Sequence, residues 1–188
     1  MTIDVTAPAD AADQAQALGE TLADVEAAQA GDRAAFERLY RAYAPMVHGI
    51  VLAYVDWSEA EDLVQDAFVV AHHRLPQLSS AAAFGAWLAQ IARRRATDRI
   101  RRTRPASPLP PAVPGREQAD DRARALLILD RIREVPAAYR ETLVMRLVQG
   151  MTGPEIAEKT GMTAGSVRVN LHRGMTQLRR LLAGGDDD

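Results

Sequence analysis

Apolar residues recur along the chain three and four positions apart, and no long stretch alternates apolar with polar residues. That period belongs to helices packed on one side, not to half-buried strands. It predicts helices over roughly 21–30, 32–54, 58–74, 80–102, 120–133, 136–149, 153–160 and 164–182, with ends set to about 2–4 residues. Val64, Phe68, Ala71 and Leu75 form one inward row. Phe84, Trp87, Leu88 and Ile91 form a second, and Val167, Leu171, Met175, Leu178 and Leu182 a third. Ser58, followed by Glu59 and Glu61, reads as a helix start. Thr152 with Glu155 has capping-box spacing, with Pro154 in the first turn. Gly150 and Gly161 stand where helices should stop, and Pro45 is expected to kink or interrupt the second helix.

Pro105, Pro108, Pro110, Pro111 and Pro114, followed by Gly115, break this pattern in the middle of the chain. Proline lacks the amide donor and biases its predecessor away from helix, so an extended linker is expected there. The expected architecture is all-α, with two small helical domains joined by a Pro-rich linker and a helix-turn-helix in the second. The expected boundaries are 1–30 for an acidic, flexible N-terminal extension, 31–103 for the first domain, 104–118 for the linker, 119–183 for the second domain and 184–188 for an acidic tail.

Charge sharpens this division. The 188 residues hold 25 acidic and 23 basic side chains, for a formal net charge of −2. Residues 1–32 carry seven acids and no base, and Asp186, Asp187 and Asp188 end the chain. Every Lys and Arg therefore lies in between, a basic middle suited to a polyanionic partner. With no cysteine, disulfides, thiolate metal sites and cysteine nucleophiles are excluded. No apolar run approaches the roughly 18 residues of a membrane span, and no secretion signal is read, so a soluble cytoplasmic protein without membrane insertion is expected. His48, His72, His73 and His172 are not spaced with carboxylates as metal ligands, and no Gly-rich phosphate loop is present. Neither a metal, a cofactor, catalytic residues nor an enzymatic activity is expected.

The strongest local signal runs from Thr152 to Arg168. A short capped helix with Ile156 and Ala157 inward, a left-handed turn at Gly161, Met162 at the corner and Thr163 capping a longer helix have the spacing of a DNA-binding helix-turn-helix. Along that second helix Ser166, Val169, Asn170 and Arg173 lie away from the apolar row, where residues of a helix in the major groove meet base edges. Arg168 falls in the same first turns, and Arg179 and Arg180, further along, suit the phosphate backbone.

The first block carries two contrasting faces. Seven arginines fall between Arg93 and Arg104, opposed only by Asp98. Arg93, Arg94, Thr97 and Arg101 share a cationic side suited to a phosphate backbone, while Arg95 and Asp98 are spaced to pair. The helix over 58–74 instead presents Glu59, Asp62, Gln65 and Asp66, an acidic strip suited to a basic protein partner. The loop over 73–80 joins the two, beside the cationic helix, where an unstacked base could be held.

Together these segments resemble the extracytoplasmic-function (ECF) group of sigma-70-family factors over about residues 30–183. Asp32-Arg33-Ala34-Ala35-Phe36-Glu37-Arg38-Leu39-Tyr40 is similar to the family opening, and Glu61-Asp62-Leu63-Val64-Gln65-Asp66-Ala67-Phe68 to its best-known motif. Phe84-Gly85-Ala86-Trp87-Leu88-Ala89-Gln90-Ile91-Ala92-Arg93 and Asp98-Arg99-Ile100-Arg101-Arg102 resemble its basic helix. Val135-Pro136 with Tyr139-Arg140-Glu141, then the helix-turn-helix, follow in the family order.

The resemblance implies a transcription initiation factor that binds RNA polymerase core and promoter DNA. It assigns Asp62, Gln65 and Asp66 to docking on the largest-subunit clamp, with the flap as a further contact. It gives the loop and Arg93, Arg94, Thr97 and Arg101 to the minus-ten element as single strand. It gives Ser166, Arg168, Val169, Asn170 and Arg173 to the minus-thirty-five duplex. An anti-sigma factor is expected on the same ground. Two departures stand out: Arg94 replaces a frequent Asn, and Val169-Asn170 replaces a frequent Ser-Arg pair. The competing reading is a helix-turn-helix regulator acting without core docking, for which neither 61–68 nor the cationic helix is needed.

Overall fold

Asp32 shows how this chain sets its helix ends. Its carboxylate accepts from the amides of Ala34 and Ala35 at 2.8 and 3.3 Å, satisfying donors that a helix start leaves unpaired. The preceding Gly31, at φ 97°, makes the turn out of the helix before it. The computed structural model describes residues 9–102 and 127–183, with side chains from Gln16 onward. Within them α1 spans Ala9–Gln29, α2 Arg33–Leu52, α3 Trp57–Arg74 and α4 Phe84–Arg102. Two 3-10 turns, Leu75–Gln77 and Ala81–Ala83, lie between α3 and α4. After residues 127–134 (α5) come α6 at Ala137–Leu147, α7 at Gly153–Thr160 and α8 at Ala164–Ala183. No strand occurs among the described residues. The Pro-rich linker at 104–118 and the tail at 184–188 lie outside them.

Three local expectations need correction. The N-terminal extension, expected to be flexible with a helix only over 21–30, is helical from Ala9, and it packs on α2. Val25 is fully buried and Asp24 pairs with Arg38 at 2.7 Å, which seats this helix on the first domain. Pro45 lies inside α2 without interrupting it. It is on the exposed side, where water can serve the carbonyl left without its amide. The third helix starts at Trp57 on Asp56, not on Ser58. Asp56 makes no side-chain cap bond; its carboxylate is taken by Arg133 of α5 at 2.7 Å.

The helices bury a single apolar cluster. From the first half it takes Leu39, Met46, Ile50, Phe68, Phe84 and Leu88, and from the second Ile132, Leu143, Met145, Ile156 and Val167. Three glycines permit the two halves to approach so closely. A Cβ at Gly49 would stand 2.7 Å from Met145, and one at Gly161 2.9 Å from Ala86. At Gly85 it would collide with the Lys159 carbonyl. The two domains are thus seated on one another in α2–α6 and α4–α7 contacts, with the Lys159 ammonium 4.5 Å from the centre of the Tyr43 ring.

Candidate nucleic-acid interface

The helix-turn-helix is built as its sequence predicts. Thr152 and Glu155 form a reciprocal capping box, with the Thr152 amide donating to the Glu155 carboxylate at 2.7 Å. Those hydrogen bonds, first from the Thr152 backbone, hold the Glu155 carboxyl below its ordinary value. Gly161 takes the left-handed turn at φ 70°. Thr163 accepts from the Ser166 amide at 3.1 Å and so starts α8. Val167 and Leu178 are buried and Leu171 and Met175 pack on the core, whereas Leu182 is 40% exposed.

Outward on α8 are Ser166, Val169 and Arg173, all exposed, with Asn170 half-buried beside them. At about 100° per residue these four occupy an arc of roughly 100°. Ser166 is partly committed, its hydroxyl 2.8 Å from that of Thr163. Arg168 is exposed but stands about 160° round the helix from Asn170, on the opposite flank. Four of the five expected residues thus share one face of α8, and Arg168 does not.

On α4 the expected cationic group divides. Arg94 and Arg101 are exposed. Thr97 donates to the carbonyls of Arg93 and Arg94 at 2.9 and 3.1 Å, within its own helix. Arg93 turns to α6: its Nε lies 2.8 and 2.9 Å from the two Glu141 oxygens, and a terminal nitrogen lies 2.8 Å from Glu141. Tyr54 donates its hydroxyl to the same carboxylate at 2.9 Å. Burial first, then the Glu141 charge, pushes the Tyr54 phenol up to about 12. Asp98 pairs with Arg94, one turn earlier at 3.9 Å, and not with Arg95.

The strip on α3 is open: Asp62, Gln65 and Asp66 are all exposed, while Glu59 is held by Arg99 at 2.6 Å. Beside Gln65 lie two residues that the sequence reading missed, Tyr40 at 38% and Val69 at 55% exposure. They line a 360 Å³ groove with Phe36 and Phe68. The available signal was that both fall outside the inward rows although both are apolar. Glu141 and Tyr54 were missed as well, since each reads as an ordinary member of its helix until the domains meet. No helix among the described residues is long and apolar enough to cross a membrane, and no cluster among them could hold a metal ion.

A helix-turn-helix with an exposed outer face, set against a domain bearing both a cationic helix and an exposed acidic strip, is the architecture of a DNA-binding protein. Two family models match in order, Sigma-70 region 2 over residues 39–105 and Sigma-70 region 4 over 125–178. The RNA polymerase sigma factor CarQ of Myxococcus xanthus is 32% identical over 159 residues, covering 81% of this chain and 91% of the relative. The ECF RNA polymerase sigma factor SigM of Mycobacterium tuberculosis is 30% identical over 156 residues, covering 81% and 80%. Among solved structures, CnrH in complex with the cytosolic domain of CnrY superposes with a TM-score of 0.63 at 22% identity, over 90% of this chain and 99% of the other, which shows a shared fold. The chain belongs to the ECF group of sigma-70-family RNA polymerase sigma factors. It is a transcription initiation factor that directs RNA polymerase to promoters. The region 2 match argues against the regulator without core docking.

Proposed function

We propose that this initiation factor divides promoter recognition between two helices and docks through a third. α8 enters the major groove of the minus-thirty-five duplex with Ser166, Val169, Asn170 and Arg173 toward base edges, and Arg168 on the flank toward a phosphate. Arg94 and Arg101 of α4, with the loop over 73–80, meet the minus-ten element as an unpaired strand. Asp62, Gln65 and Asp66 hold the clamp of the largest polymerase subunit, with the apolar groove at Tyr40 and Val69 continuing that surface. The observation that carries this reading is the simultaneous exposure of Arg173 on α8 and of Asp62, Gln65 and Asp66 on α3. DNA and core can then be held at once, and two modest readers fixed on one core give selectivity that neither has alone.

Arg93 joins the minus-ten contact only by exchanging Glu141 for phosphate, which requires the two domains to part. The protein works in the cytoplasm and performs no catalysis of its own. An anti-sigma factor that holds the domains together is a further partner carried from the group. The test is core-dependent transcription: purified protein, sigma-free polymerase and a library of upstream regions, with the transcripts sequenced. A start-site set with shared upstream elements is the expected result. Duplex binding by the protein alone, without transcription, would overturn the proposal.

A further inference from the structure

Gln29, the last residue of α1, is half-buried and reaches across to the segment between α3 and α4. Its side-chain nitrogen donates to two backbone carbonyls, Leu75 at 3.0 Å and Leu78 at 2.8 Å. Those carbonyls bracket the 3-10 turn Leu75–Gln77. The Leu78 amide also donates to the Leu75 carbonyl at 3.0 Å, so the turn is closed once by its own backbone and once by α1. Leu75 is buried and Leu78 packs on the core, which fixes the base of the segment from below. Between and after these anchors Gln77, Ser79 and Ser80 stay exposed.

The placement of Gln29 is itself secured. Val25, one turn earlier, is fully buried. Behind it the helix ends on Gly31 at φ 97°, with the Asp32 amide returning to the Ala27 carbonyl at 3.0 Å. The amide is therefore delivered by a rigid element to a loop whose other hydrogen bonds are few. A primary amide has two N–H groups, matching two acceptors. No apolar side chain of similar length can do this, and a carboxylate would set its oxygens against both carbonyls.

We propose that Gln29 is a positioning residue for promoter selection. Its amide fixes the segment 75–80 in the shape that meets the unpaired minus-ten strand, so the N-terminal helix supplies the support of a loop that it does not itself extend. This rests on the assignment of that loop to the minus-ten element. The role is conformational: water can serve both carbonyls when the amide is removed, so the loop spreads over more shapes while the core is kept.

The experiment compares full-length Gln29→Met and Gln29→Lys proteins with the parent on sigma-free core. The template pool varies only the minus-ten sequence. Met keeps length and helix propensity but has no donor, whereas the Lys ammonium restores donors on a long stem. Gln29→Met is expected to flatten minus-ten discrimination about three- to tenfold, the worth of one to two such bonds. Core affinity and dependence on the minus-thirty-five element should stay unchanged, and Gln29→Lys should recover most of the discrimination. A Gln77→Ala/Ser79→Ala protein separates the two ideas. If it loses discrimination while Gln29→Met keeps it, the loop reads DNA and the positioning role is overturned. If neither loses it, the loop assignment fails and the proposal falls with it. Equal loss in Gln29→Met and Gln29→Lys would assign the effect to packing and overturn the donor role.

Discussion

The two cationic helices of this sigma factor, α4 and α8, present their charge in opposite ways. On α8 the proposed reader face is turned outward, with Arg173 and Val169 both exposed. On α4 one of the four expected residues is bound across the domain boundary and another is tied to its own backbone. The arginine content of α4 is the greater, yet Arg93 is drawn to Glu141, Arg99 to Glu59 and Arg94 toward Asp98. Charge counted along a sequence measures what a helix could offer. What it does offer depends on which carboxylates fold against it. Here Glu141, only 8% exposed, takes the arginine nearest the second domain. In this arrangement the proposed duplex reader is open to solvent, while part of the proposed single-strand reader is engaged within the protein.

The largest effect should come from the surface that neither helix shares. Asp62→Arg places a cation where the proposed docking strip is acidic, and reversing a charge across an interface costs several kcal/mol. Core binding in a pull-down and transcription from every promoter should both collapse, while melting temperature holds because Asp62 is exposed. Retained core affinity would remove Asp62 from the docking surface.

Glu141→Ala breaks the contrast itself. Truncating one member of a buried pair costs about 3–5 kcal/mol. Here the Arg93 side chain is 35% exposed, so solvent reduces the loss to about 2 kcal/mol. The isolated variant should unfold at lower urea. It should also bind a minus-ten single strand more tightly than the parent, with the salt slope steeper by about 0.7 per added phosphate contact. Unchanged single-strand binding would mean that Arg93 is structural only. The matching change on the open helix, Arg173→Ala, should cost about 1–3 kcal/mol at the upstream element if the arginine grips a base. It should leave stability alone, since the side chain is exposed. Promoter mutants lacking the minus-thirty-five element should be insensitive to it.

The same contrast explains what was legible in the sequence. The helix-turn-helix could be read because its signals are local: a capping box three residues apart, a left-handed glycine and an apolar row at helical spacing all fall within thirty residues. The acidic strip and the arginine run were legible for the same reason. The Glu141–Arg93–Tyr54 cluster was not, because its members are 48 and 87 residues apart from Glu141 and no periodicity links them. The start of α3 was misread for a related reason. Asp56, not Ser58, precedes the helix, and its carboxylate is taken by Arg133, 77 residues on, instead of capping. Gly49 and Gly85 look like weak points in their helices, costing roughly 1 kcal/mol each relative to Ala. Their reason appears only when the Met145 side chain and the Lys159 carbonyl close on them.

The domain boundary also makes the smallest prediction, which concerns pH. The Tyr54 phenol is pushed up from 10.0 to about 12 by burial and by the Glu141 carboxylate. The folded state therefore holds the proton more tightly than the unfolded one. Its stabilisation is complete below pH 10 and is lost as pH rises through about 12. At the acid side His48 works in the reverse sense. Burial lowers it from 6.5 against the pull of Glu61 and of the hydrogen bond to Gln149 of the second domain, whose amide lies 2.9 Å from its Nδ1. Burial outweighs both, so the folded state favours the neutral ring. That contribution is present above pH 6.5 and is lost as pH falls through the lowered value. A fluorescence-transfer pair with one dye in each domain should report closest approach between these limits and separation at both ends. Tyr54→Phe should abolish the alkaline limb and leave the acid one, and His48→Gln should do the converse. A profile unchanged by either substitution would show that the domains are held by the apolar seat alone, and that the polar contacts only set its register.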